Sequence, residues 1–398
     1  MRLGIYCDSG VNGGHEEMLK RLILALVECP DIDILYLLIP PTNQTLFDYV
    51  KAVADRHSVV NVIALSCTAE SIRDNMFARL RMTWRTAGTL RSLHLSKLVI
   101  AQGTITSALP GLLAACCVRT TAVSYLPLID ERASTGPGMS GLIKWLVKRV
   151  IYRLPQEYIT LNEHLRTRLH ELAPRARIAI LENYVDNRFS HVALTRSAAR
   201  IALGLPEAGK FIVAHIGRIN FQQKRQDFLL ACIERHAQAF RDTIVLIVGE
   251  GRDAAALQRI VQESETLSSC VRIVGAQADV LPFIVASDVV VLPSAYEGVP
   301  LVMIEAVLAG RPIVASDVSG LDAYLPAPLL FRMDDEDAFV EKVFAATTFP
   351  LATLTETFRR RFSREAFDAQ VRSVLLPGES QGRPADHVQQ NSPDLAAK

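Results

Sequence analysis

Residues 288–306 read DVVVLPSAYEGVPLVMIEA, which is a strand, a loop and the beginning of a helix. The apolar run Asp288–Leu292 predicts a buried strand, and the apolar stretch after the loop predicts a short helix. Gly310 and Pro312 end that helix, because glycine favours the left-handed turn at a helix end and proline cannot continue a helix. A buried strand that leads through a loop into a helix is typical of a parallel sheet with crossover helices.

Two carboxylates lie eight residues apart in this segment, Glu297 on the loop and Glu305 inside the helix. Between them, Gly298 permits close approach of the backbone, and Pro300 in the first helical turn leaves the helix amides free to face an anion. A carboxylate is the expected acceptor for a pair of vicinal hydroxyls, whereas an unpaired charge in the apolar stretch around Glu305 would be costly. We therefore predict that this segment binds a phosphorylated, hydroxyl-rich ligand.

The bulk composition is that of a globular protein with 398 residues, 49% of them hydrophobic, and a formal net charge of +1. This length suits two domains with separate cores, and the charge gives no reason to expect nucleic acid binding. Seven scattered cysteines without zinc-binding spacing suit a reducing cytosol. Met1–Asp8 reads as a first strand rather than a signal peptide, so we expect a cytoplasmic protein. The uncharged run Leu98–Val118 is interrupted by polar residues, and we predict a strand, a loop and a buried helix there instead of a membrane span.

Apolar runs alternate with amphipathic helical stretches along the chain, and the pattern restarts after a seam near 183–208. This alternation predicts an α/β fold of two doubly wound, Rossmann-like domains that face each other across a cleft, with ligands at the carboxyl ends of the strands. The predicted parts are a first domain at 1–190, a second domain at 191–350, C-terminal helices at 351–376 that cross back to the first domain, and a disordered tail at 377–398.

A second candidate site is the loop Gly217–Asp227, which follows the predicted strand ending at Ile216. Arg218 and Lys224 lie six residues apart on this loop. Arginine binds a diphosphate through a forked pair of hydrogen bonds and lysine binds it as a point charge, so the two can stabilise charge that develops on a departing diphosphate. Taken alone, the segment could also be a solvated basic turn.

A third segment, Val248–Ala254, follows a predicted strand and opens a helix, so that it mimics a G-x-G-x-x-A dinucleotide fingerprint through Gly249 and Gly251. It lies deep in the second half of the chain, and no acidic residue ends the next strand, Val271–Val274, to bind a ribose hydroxyl. A lone match of this kind is a weak indication of a nicotinamide dinucleotide site.

A fourth segment, Ser9–Glu17, joins the first strand to the first helix. Its adjacent residues Gly13 and Gly14 permit close approach of a ligand to the backbone, and Glu16 suits the start of a helix. We interpret His15 as a loop histidine rather than a catalytic one.

The region 70–153 is strongly basic, with twelve Lys or Arg against four Asp or Glu. Its segment Gly141–Arg153 pairs bulky apolar residues with cations at roughly helical spacing, and Met76–Trp84 has the same character. That composition is typical of a helix on a membrane surface, although a core helix with solvated cations has it too. The hypothesis is that this domain docks on an anionic membrane surface, on the inner face of the plasma membrane, where it meets a lipid-linked acceptor.

The segments 215–227 and 288–320 resemble the Gly-Arg…Lys and Glu-x7-Glu elements of retaining nucleotide-sugar glycosyltransferases of family four, which have the GT-B fold. The resemblance extends over residues 1–375 and is loose in the first domain. It implies an acceptor-binding first domain, a second domain that binds a nucleoside-diphosphate sugar, and transfer to a glycan or lipid-linked acceptor with retention of anomeric configuration. Polysaccharide or lipopolysaccharide assembly is the setting that it implies.

The resemblance also assigns roles to residues. It gives catalytic roles to Arg218 and Lys224, which would hold the diphosphate, and to Glu297, which would face the donor sugar, while Glu305 would bind the ribose hydroxyls. The donor-binding positions that it implies are Gly13, Gly14, Gly217, Gly249, Gly251, Gly275, Ala276, Gly298, Val299, Pro300, Leu301 and Glu305. Because no metal-binding motif is present, the two cations would replace a metal ion, and we expect no metal or other cofactor.

Two further segments match the family in placement. The segment 160–165 resembles a strand end capped into a helix, and 181–189 resembles the family's Asn-Gly-Val-Asp…Phe element with Tyr184 in place of the glycine. The chain departs from many relatives at Thr121–Tyr125, where it lacks a histidine, so no role of that histidine is transferred. The alternatives left open are a non-catalytic nucleotide-sugar-binding subunit, a sugar epimerase or phosphorylase of the same fold, and a dehydrogenase that rests on the Gly249–Ala254 match alone.

Overall fold

The computed structural model describes residues 1–10, 14–68, 71, 75–129 and 138–376. Its N-terminal half is built on a seven-stranded parallel sheet with the strand order β3-β2-β1-β4-β5-β6-β7. The strands of this sheet are β1 Arg2–Tyr6, β2 Ile34–Ile39, β3 Val60–Ala64, β4 Lys97–Ala101, β5 Thr121–Tyr125, β6 Glu157–Thr160 and β7 Arg177–Ile180. The helices between them are α1 Gly14–Val27, α2 Gln44–Arg56, α3 Met76–Leu93, α4 Leu109–Val118, α5 Gly138–Ile151 and α6 Glu163–Leu172.

The second half is built on a six-stranded parallel sheet with the order β10-β9-β8-β11-β12-β13. Its strands are β8 Phe211–Ile216, β9 Thr243–Val248, β10 Val271–Gly275, β11 Val289–Leu292, β12 Ile313–Ser316 and β13 Leu330–Phe331. Its helices are α7 Arg196–Ala202, α8 Phe221–Lys224, α9 Gln226–Arg235, α10 Ala254–Glu263, α11 Glu265–Cys270, α12 Leu281–Ala286, α13 Leu301–Leu308, α14 Glu336–Ala345, α15 Ala352–Arg361 and α16 Arg364–Leu375. Short 3-10 helices lie at Asn187–Phe189, Leu321–Ala323, Ala327–Leu329 and Ala346–Thr348.

The predicted α/β class with two doubly wound domains is confirmed, because both sheets are parallel and reverse their strand order beside the first strand of each half. The central strands β9 and β11 are buried along their whole length, which matches their continuous runs of Val, Ile and Leu. The predicted strand at the beginning of Leu98–Val118 and the helix at its end are β4 and α4. In the described part of the chain, no helix is both long and apolar enough to cross a membrane.

The start of β11 is held by a buried ion pair. The Asp288 carboxylate accepts hydrogen bonds from Arg200 Nη2 at 2.7 Å and from the backbone N–H of Ile212 at 2.7 Å, and Arg196 contacts it from the same helix, α7. Because a buried carboxylate is costly without such partners, these contacts fix where β11 begins beside β8. The loop that follows β11 therefore emerges at a defined place at the carboxyl edge of the sheet.

The C-terminal helix α16 packs on α1 of the N-terminal half. Arg364 at its beginning forms an ion pair with Glu28 at 2.5 Å, and Phe367 packs on Tyr184 with 4.9 Å between the ring centroids. Arg361, just before it, binds both carboxylate oxygens of Glu182. The domain boundaries given above stay predictions, and the tail from residue 377 lies outside the described residues.

Several elements differ from the sequence-based expectation. The predicted helix Ala254–Glu265 is α10, which ends at Glu263, and a second helix, α11, follows where none was predicted. Helix α11 begins there because the Ser264 side chain accepts a hydrogen bond from Leu267 N. Helix α7 lies within the polar stretch near the seam, where no helix was predicted. The two-residue strand β13 also went unpredicted, because its length is too short for a period-two pattern to show.

Candidate active site in the cleft

Lys224 and Glu297 form a buried ion pair, with 2.5 Å between Lys224 Nζ and Glu297 Oε1. Lys224 ends the short helix α8 after strand β8, and Glu297 lies on the loop after the neighbouring strand β11. The Glu297 backbone N–H donates to Ser319 Oγ at 3.2 Å, which ties this loop to the one after β12. Two of the three predicted catalytic side chains thus lie together, at the edge of the sheet where parallel-sheet proteins bind ligands.

Arg218 lies on the same loop as Lys224, but its side chain is exposed, and the described residues provide it with no hydrogen bond or ion pair. Only its backbone carbonyl is engaged, by Gln226 Nε2 at 3.0 Å. The structure therefore does not bring Arg218 into the Lys224–Glu297 pair. Its guanidinium remains available for an anion.

The loop before α13 presents unpaired amides. In the described part of the chain, the backbone N–H groups of Gly298, Val299 and Leu301 have no hydrogen-bond acceptor, although Gly298 and Val299 are buried. Pro300 is the residue that caps α13, with φ −64° and ψ 126°, so the helix begins one residue later than the expectation of a proline in its first turn. Unpaired amides at the beginning of a helix attract an anion, because they carry the positive end of the helix dipole.

Glu305 is partly buried in α13, and its surroundings favour the neutral form. Burial raises the pKa of Glu305 to about 7, while the positive charges of Arg21 and Arg188 oppose that rise. The carboxyl group is thus balanced between its two forms near neutral pH, and a ligand that donates hydrogen bonds to it would favour the carboxylate. The expected ribose-binding role of Glu305 stays a prediction.

The Gly249 and Gly251 turn is explained by packing. A side chain at Gly249, which has φ 142°, would lie 2.0 Å from the carbonyl oxygen of Gly217, and one at Gly251 would lie 2.2 Å from that of Ile219. The Gly249 N–H also donates to the carbonyl of Gly275 at 2.8 Å. The loops after β8, β9 and β10 therefore touch through their backbones, which accounts for the fingerprint-like glycines without a dinucleotide. The donor-binding role expected of these glycines and of Ala276 stays a prediction.

The first loop of the N-terminal half is described only in part. Gly13 lies outside the described residues, and Gly14 is the first residue of α1. The imidazole of His15 stacks on Tyr125, with 5.6 Å between the centroids and 22° between the planes, and among the described residues neither ring nitrogen has a hydrogen-bond partner. Burial lowers the pKa of His15, so the ring is neutral at pH 7. Tyr125 ends β5, the strand where many relatives carry a histidine, so this chain places a histidine beside that position from a different element.

Two asparagines of the N-terminal half contact the loop before α13, and sequence reasoning assigned them no role there. Asn162, after β6, donates to the carbonyl oxygens of Gly298 and Ser319, and Asn183, after β7, donates to that of Val299. The signals in the sequence were the position of each asparagine just beyond a predicted strand and the match of segments 160–165 and 181–189 to the family in placement.

A buried histidine, His215 on β8, was also missed. Burial and the nearby charge of Lys224 lower the pKa of His215 to about 4, and its Nδ1 lies 3.2 Å from the carbonyl of Val291. Its ring is therefore neutral beneath the site. In the described ranges, no group of three or more His, Cys, Asp or Glu residues is placed to hold a metal ion. That catalysis is metal-independent stays a prediction.

Residues 210–347 match the family described as glycosyl transferases group 1. The chain is 28% identical over 178 residues to UDP-Gal:alpha-D-GlcNAc-diphosphoundecaprenol alpha-1,3-galactosyltransferase of Escherichia coli, a match that covers 43% of this chain and 45% of that protein. It is 34% identical over 164 residues to D-inositol 3-phosphate glycosyltransferase of Salinispora arenicola (strain CNS-205), which covers 37% of this chain and 36% of that protein. The matches thus span half or less of these relatives.

The solved structure of HepE from Anabaena in complex with UDP-glucose superposes with a TM-score of 0.73 at 18% identity, over 94% of this chain and 99% of that one. The likeness shows a shared fold. The predicted resemblance is therefore confirmed, because residues 210–347 match the group 1 glycosyl transferases, and the chain as a whole has the GT-B fold.

Proposed function

We propose that this protein transfers a sugar from a uridine diphosphate sugar to a hydroxyl group of a glycan or lipid-linked acceptor, with retention of the anomeric configuration and without a metal ion. The observation that carries the proposal is the Lys224–Glu297 ion pair, which lies next to the unpaired amides of the loop before α13. The Escherichia coli relative is named for a UDP-galactose donor, and HepE binds UDP-glucose. Both support uridine as the base.

In the proposed reaction the bond between the anomeric carbon and the diphosphate oxygen breaks, and its electron pair stays on the diphosphate. Lys224, Arg218 and the free amides of Val299 and Leu301 would stabilise this negative charge, which in other enzymes a metal ion neutralises. The acceptor oxygen attacks the same face that the diphosphate leaves, and its proton passes to the departing diphosphate oxygen. Glu297 compensates the lysine charge before the donor binds.

Substitution of the two cations tests this part of the proposal. We expect Arg218→Ala and Lys224→Met each to lower kcat by about 10²–10³-fold, the usual cost of one charge-stabilising group. UDP released from UDP-glucose, UDP-galactose and UDP-N-acetylglucosamine would be measured in EDTA with lipid-linked and free glycan acceptors. The control is Arg252→Ala, which removes a cation from the loop after β9. The Arg252 guanidinium donates hydrogen bonds to Asn220 and Gln222 instead of facing the Lys224–Glu297 pair. Turnover near wild type in both test variants would refute the mechanism.

We also propose that the protein attaches to an anionic membrane surface through helices α3 and α5. Of the twelve large hydrophobic side chains that are exposed in the described residues, four lie on α3 and five on α5. They are Met76, Phe77, Leu80, Trp84, Met139, Ile143, Leu146, Val147 and Val150. A core helix would bury such residues, so the alternative of a core helix with solvated cations does not describe α5.

The charges of the two helices favour an anionic partner. Met76–Leu93 and Gly138–Ile151 contain seven Lys or Arg residues and no Asp or Glu. Both helices pack on one face of the N-terminal sheet, since Met82 and Ile151 belong to the same core cluster. Apolar side chains among cations suit insertion between lipid headgroups, with the cations contacting anionic lipids.

The position of the apolar residues suits a lipid-linked acceptor. On α3 they lie between residues 76 and 84, the half of the helix that begins at the carboxyl edge of the sheet. The exposed residues further along this helix are Arg85, Gly88, Arg91 and Ser92. That edge borders the cleft, because ligands of doubly wound sheets bind there. An acceptor could thus keep its lipid in the bilayer while its sugar enters the cleft. This arrangement supports a role in polysaccharide or lipopolysaccharide assembly, on the inner face of the membrane.

Vesicle flotation tests the attachment. We expect binding to vesicles that contain phosphatidylglycerol, little binding to phosphatidylcholine alone, and weaker binding at 0.5 M salt. Trp84→Ser combined with Val147→Ser should reduce binding at least tenfold, whereas Ile201→Ser, which removes an equally exposed side chain from the second half, should not. Equal flotation of all three proteins, or none of the wild type at low salt, would refute the attachment.

A non-catalytic subunit that binds a nucleotide sugar is the second candidate, because β5 lacks the histidine that many relatives carry there. It predicts UDP binding equal to that of the enzyme but no UDP release with any acceptor. The turnover assay above separates the two.

A further inference from the structure

The loop before α13 takes its shape from contacts that the other half of the molecule supplies. Asn162 Nδ2 lies 3.2 Å from the carbonyl oxygen of Gly298, and Asn183 Nδ2 lies 2.6 Å from that of Val299. Both asparagines are buried. Two successive peptide groups of the loop that carries Glu297 are therefore held by side chains from the first sheet.

The orientation of the Asn162 amide is set by a separate contact. Its Oδ1 accepts a hydrogen bond from Leu165 N at 2.8 Å and so caps helix α6. Because the oxygen is committed to the cap, the NH2 group faces the other half, where it also reaches the carbonyl of Ser319 at 3.2 Å. Ser319 Oγ in turn accepts a hydrogen bond from the backbone N–H of Glu297. One side chain thus joins the loops after β11 and β12.

These carbonyl contacts also set the direction of a free amide. A trans peptide points its C=O and N–H in opposite directions, so the bond from Asn162 to the Gly298 carbonyl turns the Val299 N–H away from Asn162. That N–H is one of the groups without an acceptor in the described chain. The first half also packs closely on this peptide, since a side chain at Gly298 would lie 2.7 Å from Leu161 Cδ1 and 2.8 Å from the carbonyl oxygen of Pro127.

Asn183 contributes through its donor group alone. Its Oδ1 is buried and has no hydrogen-bond partner in the described residues. An unpaired buried oxygen destabilises a protein, so the favourable part of this side chain is its contact with the Val299 carbonyl.

We propose that Asn162 and Asn183 are positioning residues, which hold the Glu297–Pro300 loop in its donor-binding shape and so couple donor affinity to contact between the two halves. The inference rests on the proposed function, because it takes this loop as the diphosphate site. The asparagines do not touch the donor. They act through the peptide groups of Gly298 and Val299, and separation of the halves would release those groups.

Matched substitutions distinguish positioning from packing. Asn162→Ser keeps an oxygen that can cap α6 but lacks the amide donor, whereas Asn162→Asp keeps both the cap and the volume but places a carboxylate against two carbonyl oxygens. Asn183→Ala and Asn183→Asp form a second pair. If the asparagines position the loop, each Asp variant binds UDP more weakly than the Ser or Ala variant at the same position. If the asparagines only fill space, the Asp variants bind better, because they preserve the volume.

The experiment measures the Kd of UDP and the thermal midpoint without UDP for each variant at pH 8. We expect Asn162→Ser and Asn183→Ala to raise the Kd about three- to tenfold, as for the loss of one or two neutral hydrogen bonds. The control is Ser264→Ala, which removes the serine cap of α11 just before the beginning of β10, at the amino edge of the second sheet, and should leave the Kd unchanged. The double variant should raise the Kd by less than the product of the single changes, because both residues hold one loop.

Failure of the proposed function and failure of the positioning role give different results. A wild-type protein that binds no UDP would refute the proposed function and, with it, this inference. A wild-type protein that binds UDP, with unchanged Kd in both Asn162→Ser and Asn183→Ala, would refute the positioning role alone. A lower thermal midpoint at unchanged Kd would mean that the two asparagines only join the halves.

Discussion

Replacement of Glu305 by Gln should stabilise the free protein and weaken its binding of nucleotide. Glu305 lies in the apolar helix α13, and burial raises its pKa from 4.5 to about 7, with Arg21 and Arg188 opposing the rise. At pH 8 the folded protein therefore carries a carboxylate in a place that favours a neutral group. A glutamine has nearly the same shape and carries no charge, so it removes that cost.

The size of the effect follows from the pKa. A carboxyl whose pKa rises from 4.5 to about 7 on folding loses about 3 kcal/mol of folding stability once both states are ionised. Because Glu305 keeps some exposure to solvent, we expect Glu305→Gln to gain about 1–3 kcal/mol at pH 8. UDP should bind the variant roughly tenfold more weakly, since an amide oxygen is a poorer acceptor for ribose hydroxyls than a carboxylate.

The raised pKa of Glu305 also fixes how its contribution to folding stability changes with pH. Between pH 4.5 and 7 the folded protein binds more protons at Glu305 than the unfolded chain does, so this group lowers stability as the pH rises through that range and adds no further change above it. The stability difference between Glu305→Gln and wild type should accordingly be small at pH 4.5, grow up to pH 7 and then level. Urea unfolding of both proteins at half-unit pH steps, with UDP titrations by calorimetry, measures both effects.

The control for this series is Glu263→Gln, which removes a carboxylate from an exposed position on α10 and should shift neither curve. Parallel stability profiles for wild type and Glu305→Gln across pH 4.5–8 would refute the charge cost. A variant that is less stable at pH 8 and binds UDP as well as wild type would refute both the burial argument and the assigned role.

Two further substitutions test the packing of the second half and its link to the first. Gly249→Ala should lower the stability of the fold by about 2 kcal/mol or more, because the methyl group would lie 2.0 Å from the Gly217 carbonyl oxygen at a φ of 142°. Its control is Gly88→Ala, which adds a methyl group in open space on α3 and should be neutral or slightly stabilising. Equal thermal midpoints for the two variants would contradict this prediction. Arg361→Met should cost about 1–2 kcal/mol, because it leaves the Glu182 carboxylate without its two-pronged partner, and a double-mutant cycle with Glu182→Gln should recover most of that loss. Additive effects in the cycle would show that the pair contributes nothing.

Local sequence patterns were sufficient to predict the features of this protein that depend on residues close together in the sequence. The continuous apolar run of β11 predicted a buried strand of a parallel sheet, and the sheet has one there. The resemblance assigned Lys224 and Glu297 to one catalytic site, and the structure brings the two side chains together in an ion pair of 2.5 Å. The strand needed only the period of hydrophobicity. The site needed the resemblance to the family's motifs together with the rule that ligands bind at the carboxyl ends of parallel strands.

Long-range contacts could not be inferred in that way. Asn162 and Gly298 are 136 residues apart, and no local pattern shows which carbonyl an asparagine amide will reach. The exposure of α5 was equally undetermined, because its mixture of apolar residues and cations suits both a core helix and a membrane-surface helix until its packing is known. The packing reason for Gly249 could not be inferred for the same reason, because a side chain there would collide with the backbone of Gly217, which lies on another loop.

The proposed function requires that the cleft bind a uridine nucleotide without a metal ion. The most direct measurement is the thermal midpoint of the full-length protein in EDTA with UDP, GDP, ADP, dTDP, their sugars and NAD, because a ligand that binds only the folded state raises the midpoint by mass action. We predict a rise with UDP and UDP-sugars that is reduced in Glu305→Gln and in Lys224→Met. A rise with NAD alone, or with no nucleotide at all, would contradict it.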